Sequence, residues 1–451
     1  MATNPTDLFV QESLKRAIKK PEYFQAVPII LSIEMDIPAL NAANTLSNQF
    51  GLPYRQVIDY MNMVSMVVPS RLLEDLAQIA FIKGIFLDRP MYSFQNMPKI
   101  IGVTQDGWVP TSEAIKRVNV DLLHEAGIFG SGQKIAVLDT GVDITNPQIE
   151  GGVSKYSTIL AQPMGDDENG HGTWCVTCIM GRDYTYPTTD LRCIGVAPKA
   201  TVSSYKVLGG GIGTGMTSDI MKAMELAVNR GNTVISMSLG SSGAEDEEED
   251  PMVLMINNYF KTNPEVVFVV AAGNSGPEGK TVGIPAVAQH ALTVGSWSAI
   301  DNGPAYFSSR GPTIQSSRIK PDIMAMGGGR MINGDKPKEY VYSGTAIGSL
   351  LDPITDRIVD HATPIHGTSM ATPQVAGIIA LWKEILGSGL DSDTIKKIFK
   401  TYGGQSKNDD MGWGIIDATW VFNKPDTSKK SNLRRNRTNK KSTQGYKTHL
   451  F

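Results

Sequence analysis

Four polar residues stand where apolar or helical patterns of the chain begin or end, and their side chains together could perform acyl transfer. Asp139 and Asn274 each follow an apolar run, His171 lies between two glycines, and Ser369 precedes a helical pattern. Acyl transfer from an amide needs a nucleophile, a base, an anion that orients the base and a donor to the tetrahedral oxyanion. One residue is present for each role: Ser369, His171, Asp139 and Asn274.

Each of these residues taken alone also fits a structural role. An Asp or Asn at a strand end is more often a turn residue or a helix cap than a catalyst, and a His between glycines is weak evidence. Thr368 or Ser369 could simply cap the helix that follows. A nucleophile at that position would, however, form its oxyanion in front of the free N–H groups of a helix start. Only the combination of all four residues separates the two interpretations.

Short apolar runs that stop at glycine-rich turns, with helical patterns between them, predict the elements around these residues. The runs are KIAVLDTG, TVSSYKVLGGG, TVISMSLG and VVFVVAAGN. This pattern is typical of an α/β fold, a mostly parallel sheet with helices on both faces. Binding and chemistry in such folds collect beyond the carboxyl ends of the strands. We therefore expect the sheet to bring the polar residues together.

Pattern and composition divide the chain into three parts. Residues 1–97 alternate strand-like and helical segments and predict a small α+β domain, whereas residues 98–423 contain the α/β pattern. Residues 424–451 hold nine Lys or Arg and one acid with few apolar residues, so we expect a flexible basic tail. The whole chain has a net charge of −3, so residues 1–423, without this basic tail, have a net negative charge.

Composition excludes several classes of protein. With 41% hydrophobic residues, the chain can form a large core, and its net charge gives no global preference for nucleic acid or anionic membranes. The apolar runs are shorter than the roughly 20 residues that span a bilayer. Three cysteines cannot form the paired framework of a small secreted domain. No export signal is visible, so an intracellular location is expected.

Four motifs resemble those of the subtilisin-like (subtilase) serine endopeptidases, over about residues 108–420. IAVLDTGVD matches the Asp motif of that family, NGHGT its His motif and GTSMATP its Ser motif, in the family's order. AAGNSG resembles its oxyanion Asn motif. The resemblance implies an endopeptidase that acts on proteins or peptides through an acyl-enzyme, with no cofactor for the chemistry. Structural calcium is common in the family, but we assign no metal-binding residue.

The resemblance also implies which residues line the peptide cleft. Two strands would pair with an extended substrate through backbone hydrogen bonds, and a pocket would receive one of its side chains. The first strand has Ser238, Leu239 and Gly240, the opposite strand Gly213, Thr214 and Gly215, and the pocket Ala272, Gly273 and Gly283. Without the family, each glycine is equally well a turn or a close-packed backbone position.

The N-terminal part resembles, by pattern and not by motif, the inhibitory propeptide of such enzymes. Residues 26–92 match a β-α-β-β-α-β unit, which in these enzymes assists folding and then blocks the cleft. The chain would then be a self-processed zymogen with its own N-terminal domain as a partner. We expect the cut between about Asp88 and Asp106, where the sequence loses its periodicity.

Several features depart from the family pattern. Gln374 follows the Ser motif where many members have His, and Met326 replaces a common Pro. The stretch 330–362 is longer than usual and changes the loops expected beside the nucleophile. Cys175, four residues after the predicted base, matches a thiol of the proteinase K and kexin branches. It is either a site of mercurial sensitivity or a small buried apolar residue.

An acidic run at residues 245–250 follows the predicted cleft strand. Such runs are usually solvated loops. Near a cleft, this one could favour basic substrate residues or dock the basic tail, and it lacks the alternating ligand spacing of a recognised calcium loop. The tail could instead bind nucleic acid or another anionic partner.

Two other functions compete with the endopeptidase. The main alternative is a catalytically silent binding protein with the subtilisin fold, and the intact triad of Asp139, His171 and Ser369 argues against it. An esterase of the other Ser-His-Asp fold would have its nucleophile in G-x-S-x-G and its Asp after the Ser. Here the motif reads G-T-S-M-A, and the Asp comes first.

Overall fold

The computed structural model describes residues 9–12, 14–15, 26–93, 107–159, 161–162, 164–243, 246–329, 339–352 and 360–422. The predicted basic tail at 424–451 lies outside these ranges, as does 94–106, most of the stretch expected to contain the processing site. Among the described residues, none of the helices has the length and the apolar character that a membrane crossing requires.

The described chain alternates strands and helices. The α-helices are α1 Ala39–Phe50, α2 Leu73–Ala77, α3 Thr111–Lys116, α4 Val120–Glu125, α5 His171–Met180, α6 Thr217–Asn229, α7 Pro251–Thr262, α8 Thr368–Leu386 and α9 Ser392–Tyr402. Short 3-10 helices lie at Ser70–Leu72, Glu247–Glu249 and Ala418–Phe422. The strands are β1 Phe9–Val10, β2 Ala26–Ile33, β3 Tyr54–Ile58, β4 Met63–Pro69, β5 Ile82–Leu87, β6 Pro90–Ser93, β7 Trp108–Pro110, β8 Lys134–Asp139, β9 Val153–Ser157, β10 Tyr184–Thr185, β11 Arg192–Cys193, β12 Thr201–Lys206, β13 Thr214–Met216, β14 Val234–Met237, β15 Leu239–Gly240, β16 Val267–Ala271, β17 Leu292–Ser298, β18 Gly303–Pro304, β19 Ile323–Met326, β20 Tyr340–Gly344 and β21 Ala362–Ile365.

An eight-stranded sheet forms the centre of the molecule, in the order β18-β17-β16-β14-β8-β12-β9, with β19 also paired to β17. All of its neighbouring strands are parallel except β17 and β18. Side chains alternate between the two faces of a strand. In β8, Ile135 and Val137 enter the core that holds α5 and α8, whereas Ala136 and Leu138 enter the core that holds α6 and α7. The predicted α/β fold, with helices on both faces of a mostly parallel sheet, is confirmed.

The N-terminal domain has a sheet of its own. Strands β2 to β5 and helices α1 and α2 follow the order β-α-β-β-α-β, and the sheet has the order β1-β5-β2-β4-β3. One face packs on the two helices and buries Leu46 and Leu76. The other face contributes Ile30 and Phe86 to the core that holds α6 and α7. The predicted small α+β domain is therefore present and packs against the larger one.

Candidate active site

Asp139 and His171 meet at the carboxyl edge of the central sheet. Asp139 is the last residue of β8, and His171 is the first residue of α5. Both side chains are fully buried, and His171 Nδ1 donates to Asp139 Oδ1 at 2.6 Å. The same oxygen accepts the Thr140 N–H at 2.8 Å. This pairing favours the imidazole tautomer whose Nε2 carries no proton and can act as a base.

The carboxylate of Asp167 connects the loop after β8 to the start of α5. It accepts the Thr140 hydroxyl at 2.8 Å and the N–H groups of Gly170 and Thr173 at 2.7 and 2.8 Å. These N–H groups lie at a helix N-terminus, where they have no helical partner and where a negative charge is favourable. Asp167 is not among the residues predicted from the sequence. An acid a few positions before a helix start was the available signal.

Ser369 is the second residue of α8, which begins at Thr368 and has Gly367 as its cap. The structural interpretation, in which Thr368 or Ser369 caps the helix, is therefore wrong. Pro373 lies four residues after Ser369, and because its nitrogen carries no hydrogen, the Ser369 carbonyl has no helical donor. The Ser238 hydroxyl donates to that carbonyl instead, at 3.1 Å. The predicted nucleophile is thus attached to the predicted cleft strand.

The Ser369 hydroxyl is bound to the cleft strand and not to the imidazole. Its Oγ donates to the Ser238 carbonyl at 3.1 Å, and His171 Nε2 has no hydrogen-bond partner in the part of the chain that the structure describes. Cys175 joins the two residues, since its Sγ lies 3.9 Å from His171 Nδ1 and 3.9 Å from the Ser369 carbonyl oxygen. Catalytic hydrogen bonds often form only with substrate, and rotation about Cα–Cβ redirects a serine hydroxyl without moving the backbone.

Asn274 is held by the residue that precedes Ser369. Its Oδ1 accepts both the N–H and the hydroxyl of Thr368, each at 3.0 Å. Only the amide oxygen can accept an N–H, so these bonds set the orientation of the amide. The Nδ2 group then faces away from Thr368. A donor beside the start of α8 suits a developing oxyanion.

The two predicted cleft strands flank a strand of the chain itself. Strand β6 runs antiparallel between β13 and β15, and the Ser93 N–H donates to the Gly213 carbonyl at 3.2 Å. The paired residues are Met91 with Gly215, Tyr92 with Thr214 and Gly240, and Ser93 with Leu239. The backbone pairing predicted for a substrate is therefore made by residues 90–93.

The residues predicted to line the side-chain pocket lie next to the start of α8. Gly283 N–H donates to the Ala272 carbonyl at 3.0 Å, which brings these two residues together. The Gly273 N–H donates to the Thr368 hydroxyl at 3.3 Å. Gly273 has a φ of 111°, a conformation that residues with a side chain rarely adopt. Glycine at this position thus serves the backbone turn.

Two residues that depart from the family pattern contact each other. Gln374 Nε2 donates to the Met326 carbonyl at 2.6 Å and to the Met370 carbonyl at 2.8 Å. Gln374 and Met326 are both fully buried. A glutamine amide at this position therefore ties α8 to the end of β19 and supports the helix that carries the predicted nucleophile.

The long stretch before α8 packs against the His motif. Of residues 330–362, the structure describes 339–352 and 360–362. The N–H groups of Leu350 and Leu351 donate to the carbonyls of Glu168 and Asn169, both at 3.0 Å. The extra residues therefore add a wall beside the loop that precedes His171.

The three cysteines are free and buried. Ligand atoms of Cys175, Asp139 and His171 lie within 4.8 Å of one another, the one such cluster found among the described residues. Because the carboxylate and the imidazole already bond to each other, we assign no metal to this cluster. Burial raises the pKa of the Cys175 thiol well above its usual value. These properties favour the small buried apolar residue over a reactive thiol.

Comparison with known proteins agrees with this geometry. Residues 130–414 match the Subtilase family. The chain is 29% identical to serine protease AprX of Bacillus subtilis (strain 168) over 371 residues, 78% of this chain and 77% of that protein. It is 32% identical to M-protease of Shouchella clausii (strain KSM-K16) over 328 residues, 71% of this chain and 73% of that protein. It is 34% identical to subtilisin Savinase of Lederbergia lenta over 272 residues, 60% of this chain and 83% of that protein. The chain therefore belongs to the subtilase family and is a subtilisin-like serine endopeptidase.

Proposed function

We propose that the chain hydrolyses peptide bonds through an acyl-enzyme formed on Ser369. His171 Nε2 accepts the hydroxyl proton and returns it to the leaving amine, while Asp139 orients the imidazole and stabilises its charged form. Asn274 donates to the oxyanion, and water then hydrolyses the acyl-enzyme. The observation that carries this proposal is the 2.6 Å hydrogen bond between the buried Asp139 and His171.

We also propose that residues 1–97 are an inhibitory propeptide, which the active site of residues 98–423 removes. The pairing of β6 with both cleft strands supports this proposal, because a substrate cannot pair there while residues 90–93 remain. Further support comes from the second contact of the domain. The Tyr60 ring stacks on Tyr259 of α7 at a centroid distance of 3.8 Å, and the Asp59 N–H donates to Glu225 of α6 at 3.1 Å.

Intact-mass spectrometry of the purified wild type and of Ser369→Ala, in the same reducing buffer, tests both proposals. We expect the wild type to lose an N-terminal fragment and the variant to remain whole. A covalent serine-hydrolase probe should label the wild type on the peptide that contains Ser369. His171→Ala should neither be processed nor be labelled, because its serine lacks a base.

The two proposals can fail separately. If the probe labels Ser369 in an uncut chain, the catalytic proposal stands and the propeptide proposal is lost. If neither cutting nor labelling occurs in the wild type, the silent binding protein becomes the better interpretation. If the wild type does cut itself, its addition to Ser369→Ala shows whether one molecule can cut another.

A further inference from the structure

Arg89 places its side chain in the acidic loop beside the cleft. This residue directly precedes β6, and its Nη2 lies 2.7 Å from Asp246 Oδ1 while its Nε lies 3.5 Å from Asp250 Oδ2. The Arg89 side chain is only 13% exposed, and both aspartates are buried. Ion pairs excluded from solvent in this way are screened little by salt.

The two aspartates are built to receive a cation. Asp250 Oδ1 accepts the Met252 N–H at 3.0 Å and caps α7. Its Oδ2 is buried and has no hydrogen-bond partner within the described ranges, although it faces Arg89. Burial raises the pKa of Asp250 to about 6, and the Arg89 charge opposes that rise. An approaching cation therefore meets a desolvated carboxylate oxygen, Oδ2, that accepts no hydrogen bond from the described residues.

The other acids described in this loop have partners in the larger domain. Glu248 makes a bidentate pair with Arg318, at 2.8 and 2.6 Å, and Glu247 accepts the Gln315 N–H at 2.9 Å. These contacts do not involve the N-terminal domain. Asp246 and Asp250 are thus the pair of this loop that faces the strand in the cleft.

The strand that follows Arg89 occupies the place of a substrate. Met91, two residues after Arg89, is fully buried in the core that holds α6 and α7. Because β6 has the backbone pairing of a bound peptide, Arg89 stands where a substrate residue would stand. Arg89 and Met91 then define the spacing expected in a substrate, in which a basic residue lies two positions before a buried apolar residue.

We propose that Asp246 and Asp250 form a recognition site for a basic side chain of peptide substrates, two residues before the side chain that takes the place of Met91. The site becomes available when the N-terminal domain leaves, so the inference rests on the proposed zymogen. The occupant is an arginine of an extended peptide, since Arg89 shows that a guanidinium reaches both carboxylates.

Three quenched fluorescent peptides test the site with processed wild-type enzyme. The first has the chain's own residues 88–97, DRPMYSFQNM, the second carries Arg89→Gln, and the third starts at residue 90. We expect kcat/KM for the first peptide to exceed that for the second by about tenfold, the value of a hydrogen bond to a charged group. Titration with a covalent serine-hydrolase probe sets equal concentrations of active enzyme.

Two enzyme variants locate the preference. Asp246→Asn/Asp250→Asn should cleave the first two peptides at rates within about twofold of each other, and the asparagine at 250 still caps α7. Glu248→Gln is the control, because it removes one negative charge from the same loop, at an acid that is paired with Arg318. It should keep the preference of about tenfold.

The outcomes separate this inference from the proposed function. If the wild type cuts the third peptide and cuts the first two equally, the recognition site does not exist. If Glu248→Gln loses the preference for the arginine peptide as fully as the double variant, the preference comes from the negative charge of the whole loop. The proposed recognition site is then wrong. If the wild type cuts none of the three peptides, the proposed endopeptidase activity fails, and the recognition site fails with it.

Discussion

Ser93 of the N-terminal segment pairs directly with Leu239 of the predicted cleft strand. The neighbour that precedes Leu239 in the chain contacts the predicted nucleophile. The carbonyl of that neighbour, Ser238, accepts the Ser369 hydroxyl at 3.1 Å. In antiparallel strands, one step forward in one strand is one step backward in the other. The register of the cleft therefore relates the sequence after Ser93 to the position of Ser369.

This register predicts that processing cuts the bond between Phe94 and Gln95, three residues before the boundary at residue 97 that the sequence pattern indicates. In this register, the position that follows the partner of Leu239 is opposite Ser238, which holds the Ser369 hydroxyl. We therefore expect Ser369 to attack the carbonyl of the residue after Ser93. A large side chain there also agrees with a pocket lined by Gly273 and Gly283, because glycine has no side chain to fill the space. Amino-terminal sequencing of the processed wild type should begin at Gln95. A new terminus elsewhere would contradict the register, and Ser369→Ala, which should stay whole, controls for cleavage by other proteases.

Asn274→Ala should lower kcat by about 10² to 10³ and leave KM nearly unchanged. That value was measured in subtilisin for the loss of such a donor, and we expect it here because Asn274 is held beside the start of α8. Thr368→Val removes one of the two bonds that orient the amide and should cost less. Steady-state kinetics with a peptide substrate checks both variants. A rise in KM with an unchanged kcat would mean that Asn274 binds substrate uniformly and does not stabilise the transition state.

Asp88 should make the stability of the whole chain depend on pH. Its carboxylate accepts the N–H and the hydroxyl of Ser218 at 2.9 and 2.7 Å. Burial raises its pKa to about 6 and the neighbouring Asp219 adds to the rise, while Ser218 and Arg55 oppose it. An unfolded Asp titrates near pH 4, at about 3.9. The folded chain holds the Asp88 proton more tightly than the unfolded chain does. Protonated Asp88 therefore stabilises the folded chain fully below about pH 4, and this contribution is lost as the pH rises through about 6.

Urea unfolding of Ser369→Ala, which cannot process itself, measures this effect at pH 4 and pH 7. Addition of Asp88→Asn should remove about 2 kcal/mol of the change in unfolding free energy between the two pH values, because an unfolded Asp is already about half ionised at pH 4. Asp36→Asn, an exposed acid of the same domain, is the control and should leave the pH dependence as it was. An equal dependence with and without Asp88 would show that this carboxyl has an ordinary pKa in the folded chain.

The three thiols should resist reagents in the folded enzyme. Burial raises the pKa of Cys193 to about 12 and that of Cys178 further above its usual value, and thiolate is the reactive form. A thiol-reactive dye at pH 8 should therefore label no cysteine of the native chain and three of the chain in denaturant. Labelling of Cys175 together with loss of activity would contradict this prediction and restore the mercurial-sensitive interpretation.

Much of the fold could be predicted from the sequence because its signals are local. Apolar runs such as 135–138 end at turns, so the sheet and the placement of Asp139 and Asn274 at one edge follow from strand direction. The β-α-β-β-α-β order of the N-terminal domain likewise follows from hydrophobic periodicity. The role of Asp167 was missed, since its bonds to Thr140 and Gly170 join two loops that have no common pattern in sequence.

The sequence by itself determined the types of the proposed catalytic side chains and the parallel sheet that positions them, because periodicity and turn residues act over a few neighbours. Only the tertiary structure decided which distant groups meet. It joined the Ser369 hydroxyl to Ser238, and it brought Arg89 to Asp246, 157 positions away in the chain. Such contacts depend on the packing of whole domains and on the exclusion of water around charges, which no short segment of sequence records.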